Sequence, residues 1–329
     1  MPKAFGDYVL LRRRAMGGMA ELFVATRRGS AADELVVLKR VLSTLSDGSD
    51  REALGRLLVQ EGRTMAELSH PNVARLLDSG SVEDAPFLVL ERVHGEDLRS
   101  IVRQMRKKRV AEFPVESALG IVVGVCEGLA HVHGRSDAGG EPLGIVHRDV
   151  SPQNVLVTFA GEVKLVDFGV AESRAKADDA RAGRPKGKLP YMSPEQARGE
   201  AIDGRSDLFS TGVLLFELTT GQRLFKGAGD RETRALLLDR PYPRPSDVFP
   251  MYPPGLEVIV ERALARDPER RWGSARDMGA ALKAFVRDEG VDVGPAVLGR
   301  MMRSLFEEEM AEEAAALAEA QQTARTRGI

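Results

Sequence analysis

The sequence predicts a two-lobed α+β fold: a small β-rich lobe with one long helix, then a larger, mainly helical lobe and a helical tail. Three observations carry this prediction. Short β-type runs separated by Gly-bearing or polar turns fill the N-terminal part. Helical periodicity dominates after His94-Gly95. Within the helical part, strand-like sequence returns only at Val155-Leu-Val157 and Val163-Lys-Leu-Val166. The expected limits are 1–92 for the first lobe, 93–288 for the second and 289–329 for the tail.

Taken in order, Tyr8-Val-Leu-Leu11, Glu21-Leu-Phe-Val-Ala25 and Glu34-Leu-Val-Val-Leu-Lys39 read as strands of one antiparallel sheet. From about residue 50 to 68 the pattern becomes helical, with Leu54, Leu57, Leu58, Glu61, Met65 and Leu68 on one side. Two more strands are expected near 73–77 and 87–91, and helices at 98–108, 115–133, 206–219, 256–264 and 275–286. The prolines of Asp239-Arg-Pro-Tyr-Pro-Arg-Pro-Ser246 exclude helix there. In the tail, Val297, Leu298, Met301, Met302, Leu305 and Phe306 mark one or two helices. Their apolar face docks on the large lobe, with the last ten or so residues frayed, or it serves a partner or autoregulation.

Composition narrows the function. The 329 residues are 43% hydrophobic, enough for real cores. Lys and Arg number 47 against 49 Asp and Glu, so the chain lacks the basic excess of a nucleic-acid binder. Its one cysteine, Cys126, can form neither an internal disulfide nor a zinc site, which points to a reducing compartment. No apolar run approaches the roughly 20 residues of a membrane span, and the first residues lack a signal core. A cytoplasmic chain that binds neither membrane nor nucleic acid is therefore expected.

The chemistry is concentrated in His147-Arg-Asp149, Asn154 and Asp167-Phe-Gly169. An aspartate to accept a hydroxyl proton, an asparagine and a second aspartate to hold Mg²⁺, and an upstream lysine for phosphates are the parts that phosphoryl transfer needs.

In this order the motifs resemble the eukaryotic-like protein kinases, specifically the bacterial serine/threonine type, over about residues 5 to 287. The resemblance implies the two-lobed kinase fold, with ATP and Mg²⁺ (Mn²⁺ as an alternative) and protein substrates. It makes Asp149 the catalytic base, Asn154 and Asp167 the metal ligands, and Lys39, paired with Glu61, the phosphate lysine. Gly17 and Gly18 would cover the phosphates. Leu22, Val37 and Leu156 would hold the adenine against the backbone of Glu91 to Val93, and Asp97 would meet the ribose. Glu195 of Ser193-Pro-Glu195 should pair with Arg271, and Asp207 should bind the catalytic-loop backbone.

The sequence departs from the family at three places. The phosphate loop reads Ala15-Met-Gly-Gly-Met-Ala20, with alanine in place of the outer glycines. Ser151 stands where the catalytic-loop lysine is usual, and its loss removes a charge from the transferring phosphate. Lys188 either supplies that amine from the neighbouring loop or is a solvated charge. Finally, residues 170–190 contain Ser173 but no threonine or tyrosine, so activity is expected to be constitutive or set by a partner, through this basic segment or the tail. Two rivals stay open: a nucleotide-binding pseudokinase acting as a scaffold, and a small-molecule kinase of similar fold.

Overall fold

The computed structural model describes residues 1–17, 20–29, 34–42, 48–168 and 189–329. By its internal contacts the chain forms two compact units: residues 1–69, 74–93 and 306–329 in the first, and 70–73 and 94–305 in the second.

The first unit is built on a six-stranded antiparallel sheet of order β1-β2-β3-β4-β6-β5. The strands are β1 (Lys3–Phe5), β2 (Tyr8–Met16), β3 (Ala20–Arg27), β4 (Leu35–Val41), β5 (Leu76–Val82) and β6 (Ala85–Glu91). Because strand side chains alternate between faces, β4 sends Val36 and Leu38 one way and Leu35, Val37 and Lys39 the other. Val36 and Leu38 join Phe5, Tyr8, Leu10, Ala25, Phe87 and Val89 in one buried cluster. The rings of Phe5 and Tyr8 meet that of Phe87 edge-on, at 5.6 and 6.0 Å. Helix α1 (Gly48–Ala66) packs on β6 and β4.

The second unit holds a three-stranded sheet, β7 (Gly95–Asp97), β8 (Val155–Thr158) and β9 (Val163–Leu165), and most of the helices. These are α2 (Leu98–Lys107), α3 (Val115–His133), α4 (Pro194–Arg198), α5 (Gly204–Thr220), α6 (Asp230–Leu238), α7 (Pro245–Val248), α8 (Pro254–Ala263) and α9 (Ala275–Asp288). Helix α7 starts inside the stretch 239–246 expected to be free of helix, because proline fits the first turn of a helix. Helix α3 is apolar almost all round and packs on α5, α9 and β9. By length and composition it could cross a membrane, which the shorter run 119–126 did not announce, but 72% of its apolar window is buried inside the protein. Cys126 lies buried in this helix, and burial pushes its thiol up to about 12, so it packs as a small hydrophobe.

Residues 289–329 are divided between the two units. Helix α10 (Pro295–Thr326) bends at Phe306, whose φ of −123° and ψ of 18° are not helical. Residues up to Leu305 belong to the second unit, where Leu298, Met302 and Leu305 are buried. Gln104 Nε2 and Lys108 Nζ donate to the carbonyls of Leu305 and Ser304, at 2.9 and 3.1 Å. Gly161, at φ +94° in the β8–β9 turn, admits the helix because a Cβ there would lie 1.8 Å from the Pro295 carbonyl oxygen. Residues 306–329 belong to the first unit, and Ala324 is buried there against Val9 and Leu11 rather than frayed. The middle segment of the first unit ends at Val93.

Candidate active site

In the first unit, strand register gathers the expected nucleotide residues on one face of the sheet. Lys39 stands opposite Leu22 of β3 and Leu88 of β6, and Val37 stands opposite Val24 and Leu90. Lys39 Nζ donates to Glu61 Oε1 at 2.7 Å, with side chains only 12% and 10% exposed. Glu61 reaches it from α1. Gly17 closes the tip of the β2–β3 hairpin, its N–H donating to the Ala20 carbonyl at 2.9 Å. Gly18 lies outside the described residues. The Glu91 N–H is engaged by the Arg75 carbonyl at 3.0 Å, and Val93 is buried.

In the second unit, the catalytic loop is held from several sides. Asp207 of α5 accepts from the N–H groups of His147 and Arg148, both at 2.8 Å, and its Oδ2 lies 2.7 Å from His133 Nε2. His133 escaped sequence reading because nothing in its neighbourhood marks it. Arg148 adopts φ +69°, a conformation costing a non-glycine residue roughly 1–2 kcal/mol. Both of its backbone ends are held: N–H by Asp207, and carbonyl by Gln196 Nε2 at 2.9 Å.

His147 is fully buried. Its Nδ1 accepts from the Asp149 N–H at 3.3 Å, so the ring proton sits on Nε2, which faces the Val166 carbonyl at 3.2 Å. Its ring packs on Phe168 at 4.7 Å. Burial holds this imidazole below its ordinary pKa of 6.5, against the pull of Asp207, Asp149 and Asp167. His70 and His131, stacked at 5.1 Å, are lowered as well, chiefly by burial. A histidine with a depressed folded-state pKa gives full stability above its unfolded pKa and loses it as pH falls through the folded one. The urea midpoint is therefore expected to be lower at about pH 5.5 than at about pH 7.5. An equal or higher midpoint in acid would contradict this account.

Asn154 fixes the Asp149 carboxylate. Its Nδ2 donates to Asp149 Oδ2 at 2.6 Å and to the Asp149 carbonyl at 2.8 Å. Asn154 is itself placed by the small sheet. Its carbonyl accepts from the Val166 N–H at 3.0 Å, and Val155 pairs with Leu165, which brings Asp167 alongside. With Nδ2 committed to Asp149, Oδ1 is the Asn154 atom that can face a cation. Asn154 Oδ1 and the Asp167 carboxylate are hard oxygen donors of the kind Mg²⁺ takes when phosphates and water complete its shell. Among the described residues no group of three His, Cys, Asp or Glu forms a closed metal site.

Leu156 lies between buried Val155 and Val157 but is itself only partly buried, and it pairs directly with Asp97. The Asp97 carboxylate caps α2, accepting from the Ser100 N–H at 2.8 Å, a structural duty the sequence reading did not assign to it. Lys188 and residues 170–187, including Ser173, lie outside the described residues. Glu195 takes a two-pronged contact from Arg271, at 2.7 and 2.8 Å. Burial alone would raise the Glu195 pKa, but the hydrogen bonds from Arg271 and Ser206 bring it below the usual carboxylate value.

A phosphate lysine paired with a helix glutamate, and an asparagine-held aspartate on a pinned loop, are the working parts of one class of enzyme. The chain belongs to the protein kinase family: the family's model, the protein kinase domain, matches residues 16–282. Within it, most of the similar proteins are named serine/threonine-protein kinases of bacteria, the eukaryotic-like type. Serine/threonine-protein kinase PrkC of Bacillus subtilis is 31% identical over 286 residues, covering 86% of this chain and 41% of that protein. A Myxococcus xanthus protein named tyrosine-protein kinase MasK is 36% identical over 306 residues, covering 93% of this chain and 47% of its own length. The chain thus spans less than half the length of these two relatives. Among solved structures, the kinase domain of Mycobacterium tuberculosis PknI matches with a TM-score of 0.62 at 25% identity, covering 86% of this chain and 97% of that one.

Proposed function

We propose that the chain transfers the γ-phosphate of Mg-ATP to serine or threonine hydroxyls of protein substrates. The observation that carries this reading is the pair Asp149 and Asn154, a carboxylate aimed by a 2.6 Å hydrogen bond on a loop anchored by Asp207. The acceptor hydroxyl loses its proton to Asp149 as its oxygen bonds to the γ-phosphorus. The bond from that phosphorus to the bridging oxygen breaks, and ADP leaves with the electron pair. Lys39, held by Glu61, positions phosphate oxygens. Asn154 and Asp167 would hold Mg²⁺, which neutralises phosphate charge when bound.

Serine or threonine is preferred over tyrosine because Ser151-Pro-Gln153 keeps the proline of the serine/threonine pattern. One observation favours the scaffold reading: Ser151, buried in the catalytic loop, brings no charge. Transfer of labelled γ-phosphate to the chain itself and to generic protein substrates decides between them. Phosphoserine or phosphothreonine in the product supports the proposal. Phosphotyrosine alone overturns the acceptor class, and bound ATP without transfer turns the reading to a scaffold.

A further inference from the structure

Strand β2 breaks its pairing with β3 twice, and both breaks point to the C-terminal helix. The register passes from Leu10 to Arg12 and from Arg13 to Ala15, which leaves Leu11 and Arg14 as extra residues. Bulges of this kind re-aim side chains at the cost of ladder hydrogen bonds. Leu11 is buried with Val9 and Ala324, flanked by Leu35, Ala320 and Ile329. Arg14 NH1 stands 3.5 Å from Glu313 Oε1. The same oxygen lies 3.2 Å from Arg92 NH2. All of these residues are in the first unit.

The placement bears on the nucleotide. Arg14 lies three residues before Gly17 on the strand that enters the phosphate loop, and Arg92 lies between Glu91 and Val93, the backbone assigned to the adenine. Leu35 shares its face of β4 with Val37 and Lys39. One carboxylate therefore faces two arginines from the two chain segments assigned to ATP. Both guanidinium groups share this one carboxylate oxygen, and Arg92 Nε is buried with no hydrogen-bond partner among the described residues. The match to the family's model ends at residue 282, so this helix lies outside the matched residues.

We propose that residues 307–326 are a built-in positioning element for the nucleotide, and that Glu313, acting through Arg14, sets the affinity for Mg-ATP. This rests on the ATP reading above. The test uses the full chain with Glu313→Gln, which keeps the shape and removes the charge. The Kd and KM for Mg-ATP are expected to rise about fivefold while kcat stays within about twofold. Arg14→Met, which keeps the aliphatic stem, should weaken binding similarly and serves if the first variant folds poorly. The double variant should be no weaker than Glu313→Gln alone, because Arg14→Met then breaks a contact that is already lost. Unchanged Mg-ATP affinity in Glu313→Gln, or strictly additive losses, would overturn the proposal and leave a pair that only supports the fold. Wild-type chain that binds no Mg-ATP would overturn the ATP reading along with it, so the two failures are distinguishable.

Discussion

Asp149→Asn is expected to lower phosphoryl transfer by about 10²- to 10⁴-fold, the contribution of a positioned proton acceptor, with Mg-ATP binding almost unchanged. The variant isolates chemistry from structure. Asparagine has the same shape, and turning its amide presents Oδ1 to Asn154 Nδ2, so the 2.6 Å contact can be remade. The hydrogen bond from the Asp149 N–H to His147 and those from His147 and Arg148 to Asp207 involve backbone that the substitution leaves alone. What disappears is a group able to take the hydroxyl proton. The measurement is initial rate under saturating ATP beside a binding isotherm. A variant that keeps a tenth or more of the wild-type rate would show that Asp149 is not the base, and a lost isotherm would show that the substitution disturbed more than the proton.

The parts of this site that could be read in the sequence are those that belong to the motifs of the resemblance, while periodicity placed only the elements that carry them. Lys39 sits on a strand and Glu61 on a helix, and each period identifies the face that its neighbours bury. Glu195 and Arg271, 76 residues apart, were paired from the resemblance and meet in the structure at 2.7 Å. Other features have no period to reveal them. Strand β7 consists of Gly-Glu-Asp, poor strand formers, and exists because the backbone of Gly95 approaches β8 so closely that a Cβ would lie 2.1 Å from the Val157 carbonyl oxygen. Strand β5 runs over 76–82 rather than 73–77 because it is an edge strand with mostly exposed side chains and no alternation. Val73 instead makes an isolated bridge to Leu165. The tail shows its apolar residues in sequence, but a change of partner at Phe306 leaves the helical spacing almost untouched. Bulges at Leu11 and Arg14 are equally silent, since an extra residue in a strand is visible only against its partner.

Arg271→Ala is expected to destabilise the chain by roughly 3–5 kcal/mol, a large part of what holds an ordinary domain together. The Arg271 side chain is fully buried and carries more than its ion pair. It donates to both oxygens of Glu195 and to the carbonyls of Arg205, Ala265 and Arg266, at 2.7 to 3.0 Å. Its guanidinium also lies 5.0 Å from the centre of the Phe209 ring. Truncation leaves a buried carboxylate without its counter-charge and removes one donor from each of three carbonyls, whereas the pair itself need not be worth that much over an apolar one. Arg271→Met with Glu195→Leu should therefore cost less than Arg271→Ala alone. The pH response adds a second sign. With Arg271 gone, burial raises the Glu195 pKa above its unfolded value, so protonation favours the folded variant and its deficit shrinks as pH falls toward the carboxylate range. Urea unfolding of the full chain at neutral and mildly acidic pH reads both effects. A loss under about 1 kcal/mol, the size of an exposed ion pair, would refute the structural role. The damage should also reach the catalytic loop. Glu195 is in α4, and its neighbour Gln196 both closes the capping box with Ser193 and holds the Arg148 carbonyl at 2.9 Å. Releasing the Arg271 anchor loosens the support that keeps Arg148 in its left-handed conformation, so transfer should fall further than unfolding alone explains.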